Sequence, residues 1–359
     1  MWLKSLSIEN LRNIQNISLN PSPRFNLITG KNASGKSSLM EAIYMCSIGK
    51  SFREQHFKEV ISHGHDRMQV VAHIGDGNPD FVVGVERTHQ ATLIRLKGQT
   101  LEKMSQLNRE VPIRLIHPES QDIVCGSPEY KRKFLDWGLF HVEHSFYSQW
   151  LNYKKALAQR NAALATQRSK AEIESLDSVL TDSGKIMTQL RQKYINELIS
   201  LLNPYLDSFY PGQPFTLVFY PGWDENYILD ELWRVKLLQD QKLGYTRYGP
   251  HRADLMIKCQ NKGVGKILSR GQQKILAILL LLAQQQHFVN TLAMKGVILL
   301  DDLAAELDQD NRRKMLSLMD NLNVQIFISA TDAHLIDINS INTDLKMFHM
   351  EHGKIKTML

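Results

Sequence analysis

Eight consecutive residues, Gly30-Lys31-Asn32-Ala33-Ser34-Gly35-Lys36-Ser37, fit the pattern G-x-x-x-x-G-K-[ST]. Glycines let such a loop curl until its N–H groups point inward at phosphate oxygens, and a helix N-terminus behind it adds partial positive charge. In that chemistry Lys36 reaches the β- and γ-phosphates and the Ser37 hydroxyl is a ligand of Mg²⁺. A second group is Gly296-Val297-Ile298-Leu299-Leu300-Asp301-Asp302, an apolar strand ending in two carboxylates. There Asp301 is placed to hold the Mg²⁺ shell and Asp302 to orient or deprotonate an attacking water. The third is Leu268-Ser269-Arg270-Gly271-Gln272-Gln273-Lys274. Ser269 is positioned to cap a helix starting near Gln272, and Gly271 lets a phosphate approach the backbone closely. The three together predict a nucleoside-triphosphate site.

The elements around these residues must hold them in place. Phe25-Asn26-Leu27-Ile28-Thr29 reads as a buried strand, and Ser38 to Met45 as a helix with Leu39, Ala42 and Ile43 on one face. Strand, glycine loop and helix form the context that separates a phosphate site from a chance match. The Asp301 strand is expected to lie beside the phosphate-loop strand. Upstream, Leu3–Ile8 and Ile14–Leu19 predict a hairpin joined by residues 9–13, and residues 68–97 carry three more short strands. Pro118 and the Gly126-Ser127-Pro128 cluster mark a change of character. From Pro128 to about Leu202 the spacing predicts helices, with Ser127 as a cap, one helix over Trp150–Ala171, and another over Leu180–Leu202 ended by Asn203-Pro204. Further strands are expected between Phe215 and Leu255, around Tyr248–Asp254.

At 359 residues, 43% hydrophobic and 22% charged, the chain has the composition of a soluble globular protein with more than one compact unit. Its longest apolar run, Ile275–Ala283, is too short to span a bilayer, and residues 1–9 lack a signal peptide's apolar core. Cys46, Cys125 and Cys259 are odd in number and far apart, which argues for reduced, core-filling thiols in the cytoplasm and against a disulfide frame or zinc site. None of the thirteen histidines has metal-site spacing. The net charge is +6, but Gly126–Ala171 alone carries eight basic residues against three acids, a local +5. A phosphate-contacting surface and a solvated helix face both fit that excess.

The Leu268–Gln272 segment resembles the L-S-G-G-Q signature of ABC-type ATPases, with Arg270 in place of the first glycine of the pair. In that superfamily the signature of one subunit closes on the γ-phosphate held by another, so two ATP molecules sit in a head-to-tail dimer. Glu306-Leu307-Asp308 resembles the dimer-facing loop. Ser329-Ala330-Thr331 stands where many relatives carry a switch histidine.

Over essentially its whole length the chain resembles the RecF family of bacterial single-strand-gap-repair ATPases. The resemblance rests on Asn10–Ile14, Gly30–Ser37, Glu41–Tyr44, Gly126–Pro128, Lys131–Trp137, Arg160–Leu164, Gly249–Asp254, Leu268–Gln272 and Asp301-Asp302. It implies an α/β fold: a P-loop, SMC-like ABC-type ATPase head with a mixed sheet, and a mainly helical second lobe without a long coiled coil. Lobe I would comprise residues 1–117 and 291–359, and lobe II residues 118–290, basic and carrying the signature. It further implies ATP and Mg²⁺ as cofactors, an ATP-dependent homodimer, double-stranded and gapped or single-stranded DNA as ligand, RecR- and RecO-type partners, loading of the recombinase RecA, and no membrane. Gly30–Ser37 with Ser269, Gly271 and Gln272 would bind nucleotide, Ser37 and Asp301 the metal, and Lys36 and Asp302 would be catalytic. Hydrolysis would be slow, since relatives usually have glutamate where Asp302 stands. Lys131, Arg132, Lys154, Lys155 and Arg160 would contact DNA phosphates. A transporter ATPase shares the three ATP motifs but places its signature nearer the phosphate loop than the 233 positions here (269 − 36). An ATP-gated binder in which hydrolysis is incidental differs from the enzyme mainly in emphasis. A P-loop nuclease or kinase lacks support in a metal cluster or in the Ser269–Gln272 element.

Overall fold

A computed structural model describes residues 1–53, 59–75, 79–302 and 307–358, with the backbone alone at position 339. The first stretch runs β1 (Trp2–Leu11), β2 (Ile14–Leu19), β3 (Phe25–Thr29), α1 (Lys36–Ile48), β4 (Arg67–Gly75), β5 (Phe81–Thr88), β6 (Thr92–Leu96), β7 (Gln99–Thr100), α2 (Met104–Glu110) and β8 (Ile113–Ile116). The middle runs α3 (Asp122–Cys125), α4 (Pro128–Val142), α5 (His144–Ala165), α6 (Lys170–Phe209), β9 (Phe215–Tyr220), α7 (Leu229–Leu243), β10 (Asp254–Cys259), β11 (Lys262–Gly263) and α8 (Arg270–Leu292). The chain closes with β12 (Val297–Leu300), α9 (Gln309–Asp320), β13 (Gln325–Ala330), β14 (Leu345–Glu351) and β15 (Lys354–Thr357). Two compact units result: unit 1 is Met1–Ser120 with Ala293–Leu359, and unit 2 is Gln121–Leu292.

Unit 1 has two sheets. One is antiparallel, in the order β2-β1-β4-β5-β6-β7. Its strands alternate buried and exposed residues, as sheets with one covered face do. The other is mixed, in the order β15-β14-β3-β13-β12-β8, parallel from β14 to β8. Its β3, β12 and β13 are buried on both faces, which explains their unbroken apolar runs. The Asp301 strand therefore does not adjoin β3, because β13 runs between them. Helix α1 sends Leu39, Met40 and Ile43 into the core shared with β1 and β4. The hairpin turn tightens to Arg12-Asn13, since β1 continues to Leu11.

Unit 2 packs α4, α5, α7 and α8 around α6 and carries a small antiparallel sheet, β11-β10-β9. Helix α8 is long and apolar enough to cross a membrane by length and composition, yet most of it is buried within the protein. An all-round apolar helix of this kind belongs to a core. Three expectations fail here. The basic stretch Trp150–Ala171 is two helices: α5 ends at Ala165, Gln167 takes a left-handed φ of 52°, and a reciprocal Ser169–Glu172 capping box starts α6. Pro204 does not end the next helix; α6 continues to Phe209 because buried Leu206 and Tyr210 hold its final turn despite the missing N–H. The helix start at Ser127-Pro128 holds: Ser127 occupies the cap position of α4, without a side-chain bond, and Pro128 its first turn. Residues 229–243, read as strand territory, form α7, with Asp230 and Glu231 in its first turn and left-handed Gly244 at its end. Cys46 and Cys259 fill the core as expected, whereas Cys125 is exposed.

Candidate nucleotide site and surrounding charges

The phosphate loop is held by its surroundings before any ligand arrives. Gly30 and Gly35 have φ of 149° and 114°, and a Cβ at Gly30 would come within 2.3 Å of the Met350 carbonyl oxygen. Only glycine fits there. Asn13 Nδ2 donates to the Ala33 carbonyl at 3.2 Å, and the Gly353 N–H donates to the Ser34 carbonyl at 2.9 Å. Helix α1 starts from Gly35 with no side-chain cap, so its first N–H groups are left to other partners. Within the described residues, the buried Ser34 hydroxyl has no hydrogen-bond partner.

Lys36 is 8% exposed and donates to the carbonyls of Gly30 (2.7 Å) and Lys31 (3.0 Å). Burial lowers its pKa below the ordinary lysine value, while the Asp302 and then the Asp301 carboxylate oppose that shift. A lysine curled onto loop carbonyls, with two acids nearby, is arranged to exchange those acceptors for phosphate oxygens.

The ends of β12 and β13 complete the cleft. Ser37 Oγ donates to Asp301 Oδ1 at 3.3 Å, and Ser329 Oγ donates to the same oxygen at 2.7 Å. The Asp302 N–H in turn donates to Ser329 Oγ at 2.8 Å, with Asp302 in a left-handed conformation, φ 57°. Parallel strands bring these groups together because their C-terminal ends share one edge. Ser37 and Asp301 offer a hydroxyl and a carboxylate, the hard oxygen donors that Mg²⁺ prefers, so the donor set fits that ion. The cleft has a volume of about 570 Å³ and is lined by Asn32, Ala33, Gly35, Lys36, Ser37, Asp301 and Asp302. Arg12, Asn13, Arg53 and Ser329 also line it. Sequence reading gave Arg12, Asn13 and Arg53 no role in the cleft and marked Ser329 only as standing where many relatives carry a switch histidine. Arg12 makes a two-pronged pair with buried Glu41, at 2.5 and 3.0 Å, and the Asn10–Ile14 motif was the available signal.

Ser269, Gly271 and Gln272 stand in unit 2, at the start of α8. Ser269 Oγ accepts from the Gln272 N–H (3.3 Å) and Gln272 Oε1 accepts from the Ser269 N–H (2.9 Å), a closed capping box. Tyr210 OH donates to the Gln272 carbonyl at 2.5 Å. The helix begins at Arg270, two residues before the expected start. Glu306 lies outside the described residues; Leu307 is buried and Asp308 caps α9.

The expected DNA-contacting cations divide sharply. Arg160 is 0% exposed and bridges Asp177 (2.8 Å) and Asp240 (2.7 Å), which removes it from any surface. Lys131 is nearly buried and pairs with Asp254 at 3.2 Å. Arg132 donates to the Ala253 carbonyl at 2.8 Å. Lys154 and Lys155 remain exposed. His251 also proves architectural: Nδ1 meets Tyr153 OH at 2.8 Å and Nε2 the Thr246 carbonyl at 3.0 Å. Burial pushes its pKa down to about 4, so the ring is neutral, with Nε2–H donating and Nδ1 accepting. No group of three or more potential metal ligands of the His, Cys, Asp or Glu type occurs among the described residues.

Comparison with known proteins follows this geometry. The family model "RecF/RecN/SMC N terminal domain" matches residues 2–356. The chain is 34% identical over 363 residues to "DNA replication and repair protein RecF" of Thioalkalivibrio sulfidiphilus, covering 99% of each. It is 36% identical to the protein of that name from Shewanella woodyi, covering 98% of this chain and 97% of the relative. A solved structure of the recombination mediator protein RecF with ATP, in the RecFOR pathway, matches at TM-score 0.86 and 23% identity, covering 100% of this chain and 98% of that one. An SMC head domain from Pyrococcus furiosus matches at TM-score 0.64 and 15% identity, covering 99% and 96%. These two likenesses establish the fold.

Proposed function

This chain belongs to the RecF/RecN/SMC N-terminal domain family, and from that premise we propose that it is an ATP-dependent DNA-binding protein of replication and recombinational repair. The observation that carries the reading is the chain of contacts Ser37–Asp301–Ser329–Asp302 facing Lys36 across one cleft. In it, Gly30–Ser37 wraps the phosphates of ATP, and Lys36 turns from the loop carbonyls to the β- and γ-phosphate oxygens. Ser37 and Asp301 would hold Mg²⁺, which supplies charge neutralisation at those oxygens. Asp302 accepts the proton of the attacking water, and Ser329 fixes the backbone from which that carboxylate projects. Ser269, Gly271 and Gln272 of a second copy would close on the γ-phosphate, making ATP the glue of a homodimer. The closed dimer would clamp duplex DNA, favouring the edge of a single-strand gap, and slow hydrolysis would release it. RecR- and RecO-type proteins would be its partners in loading RecA.

Light scattering with ADP, then with ATP and Mg²⁺, each with and without gapped duplex, tests this. A monomer that becomes a dimer with ATP only, reinforced by DNA, is the expected result. A chain that remains monomeric under every condition would remove the clamp and leave the nucleotide site.

A further inference from the structure

We infer that a tyrosine-and-cation face of unit 2, built from the end of β9, residues 221–228, α7 and residues 245–252, binds an unpaired nucleic-acid strand. Lys236 lies over two rings, 5.6 Å from the centre of Tyr227 and 5.8 Å from that of Tyr248. The Arg247 guanidinium lies 5.4 Å from the Tyr248 ring, and that of Arg252 5.7 Å from the Tyr245 ring. Tyr220 closes the group: it is 39% exposed, and its phenol is pushed up by burial and then by the nearby Tyr248 and Asp224. Tyr245 is 40% exposed. None of Lys236, Arg247 and Arg252 has a carboxylate partner among the described residues. Of the cations that the sequence set against DNA, by contrast, Lys131 is paired with Asp254 and Arg160 with Asp177 and Asp240.

Exposed and half-buried rings beside cations without carboxylate partners suit a single strand for a physical reason. Unpaired bases offer a π-face that stacks on tyrosine, and phosphates meet the cations; a duplex hides its base faces inside the stack. An acidic peptide would satisfy the cations but leave the rings without that partner. Asp224, exposed beside Tyr220, and its exposed neighbour Glu225 are carboxylates that work against phosphate on this face. The inference deepens the proposed preference for gap edges and rests on that reading, since it assigns the single-stranded side of the junction to these residues.

The test uses the full chain with ATP and Mg²⁺, a fluorescent dT oligonucleotide of about 15 nucleotides, a blunt duplex and a poly-glutamate peptide. The charge-reversed Lys236→Glu/Arg247→Glu chain is expected to lose roughly tenfold or more in oligonucleotide affinity while holding ATP and blunt duplex as before. Tyr248→Ala should weaken the same affinity and Tyr248→Phe, which keeps the ring, should not. Photocrosslinking with 5-iodouracil should mark Tyr220 or Tyr248. Oligonucleotide binding unchanged in the charge-reversed chain, or crosslinks confined to other regions, would overturn the inference while the duplex clamp stands. Oligonucleotide binding that depends on this face in a chain that ignores duplex would uphold the inference and remove the clamp. Peptide bound by this face in place of the oligonucleotide would assign it to a protein partner and overturn the proposal.

Discussion

The cleft of unit 1 and the body of unit 2 treat the same kinds of polar group in opposite ways. Around the phosphate loop, α1 opens on a left-handed glycine with no side-chain cap, and Lys36 rests on backbone carbonyls beside two carboxylates in an open cleft. In unit 2 the comparable groups are closed into pairs. Ser269 caps its own helix, Arg160 is neutralised by two aspartates, and His251 is consumed by Tyr153 and Thr246. The lesson is that a residue type suited to a ligand becomes a site only where the fold leaves its partner replaceable. In that cap the Ser269 hydroxyl serves as acceptor, and its own O–H is not spent on the bond.

The largest expected effect breaks the cleft side of this contrast. Asp302→Asn should slow ATP turnover by roughly a hundred- to ten-thousand-fold with nucleotide binding retained, the range for loss of a general base. Single-turnover kinetics would check it, and unchanged turnover would place the base elsewhere. On the unit 2 side, Arg160→Ala leaves two buried carboxylates without their cation and should cost about 3–5 kcal/mol of stability in a urea melt. A variant as stable as the parent but deficient in DNA binding would make Arg160 a ligand contact after all.

The buried histidine gives a pH window. Its pKa falls from the ordinary 6.5 to about 4, with burial the main cause, so below pH 6.5 the unfolded chain takes up a proton that the native chain refuses. Stability should therefore fall as pH drops from 6.5 towards 4, by up to roughly 3 kcal/mol from this group, and be unaffected by it at higher pH. Urea midpoints at pH 7.5 and 5 should show a flatter dependence for His251→Gln than for the parent chain. The smallest effect sharpens the comparison most. Ser269→Ala should lower stability by about 1 kcal/mol and leave ATP binding by the monomer intact, yet abolish the ATP-dependent dimer. A dimer that forms normally without this hydroxyl would show that Ser269 makes no contact the dimer needs.

Local chemistry made the phosphate loop, its strand and its helix readable in the sequence, because glycine conformations, apolar runs and helix starts depend on near neighbours. The capping box at Ser269 was readable for the same reason, as was the apolar character of α8. Pro204 misled because a local rule about a missing N–H was overridden by Leu206 and Tyr210 packing from farther along the chain. Helix α7 was missed although Asp230, Glu231 and Gly244 mark its ends, since the neighbouring Gly249-Pro250 punctuation drew the reading towards strands and turns.

By itself, then, the sequence determined the local geometry of the candidate site: the Gly30–Ser37 loop, the Asp301-Asp302 strand end and the Ser269 helix start each follow from residues within a few positions of one another. Tertiary structure alone decided that β13 separates the two site strands, that Ser329 bridges Asp301 and Asp302, and which cations face solvent. Arg160 and Arg252 are equally basic as letters. Only folding brings Asp177 and Asp240, 17 and 80 positions away, to enclose the first and leaves the second exposed over a tyrosine ring. The reason is electrostatic: in a low-dielectric interior a charge persists only where long-range contacts supply its counter-ion, and no short window of sequence states which contacts those will be.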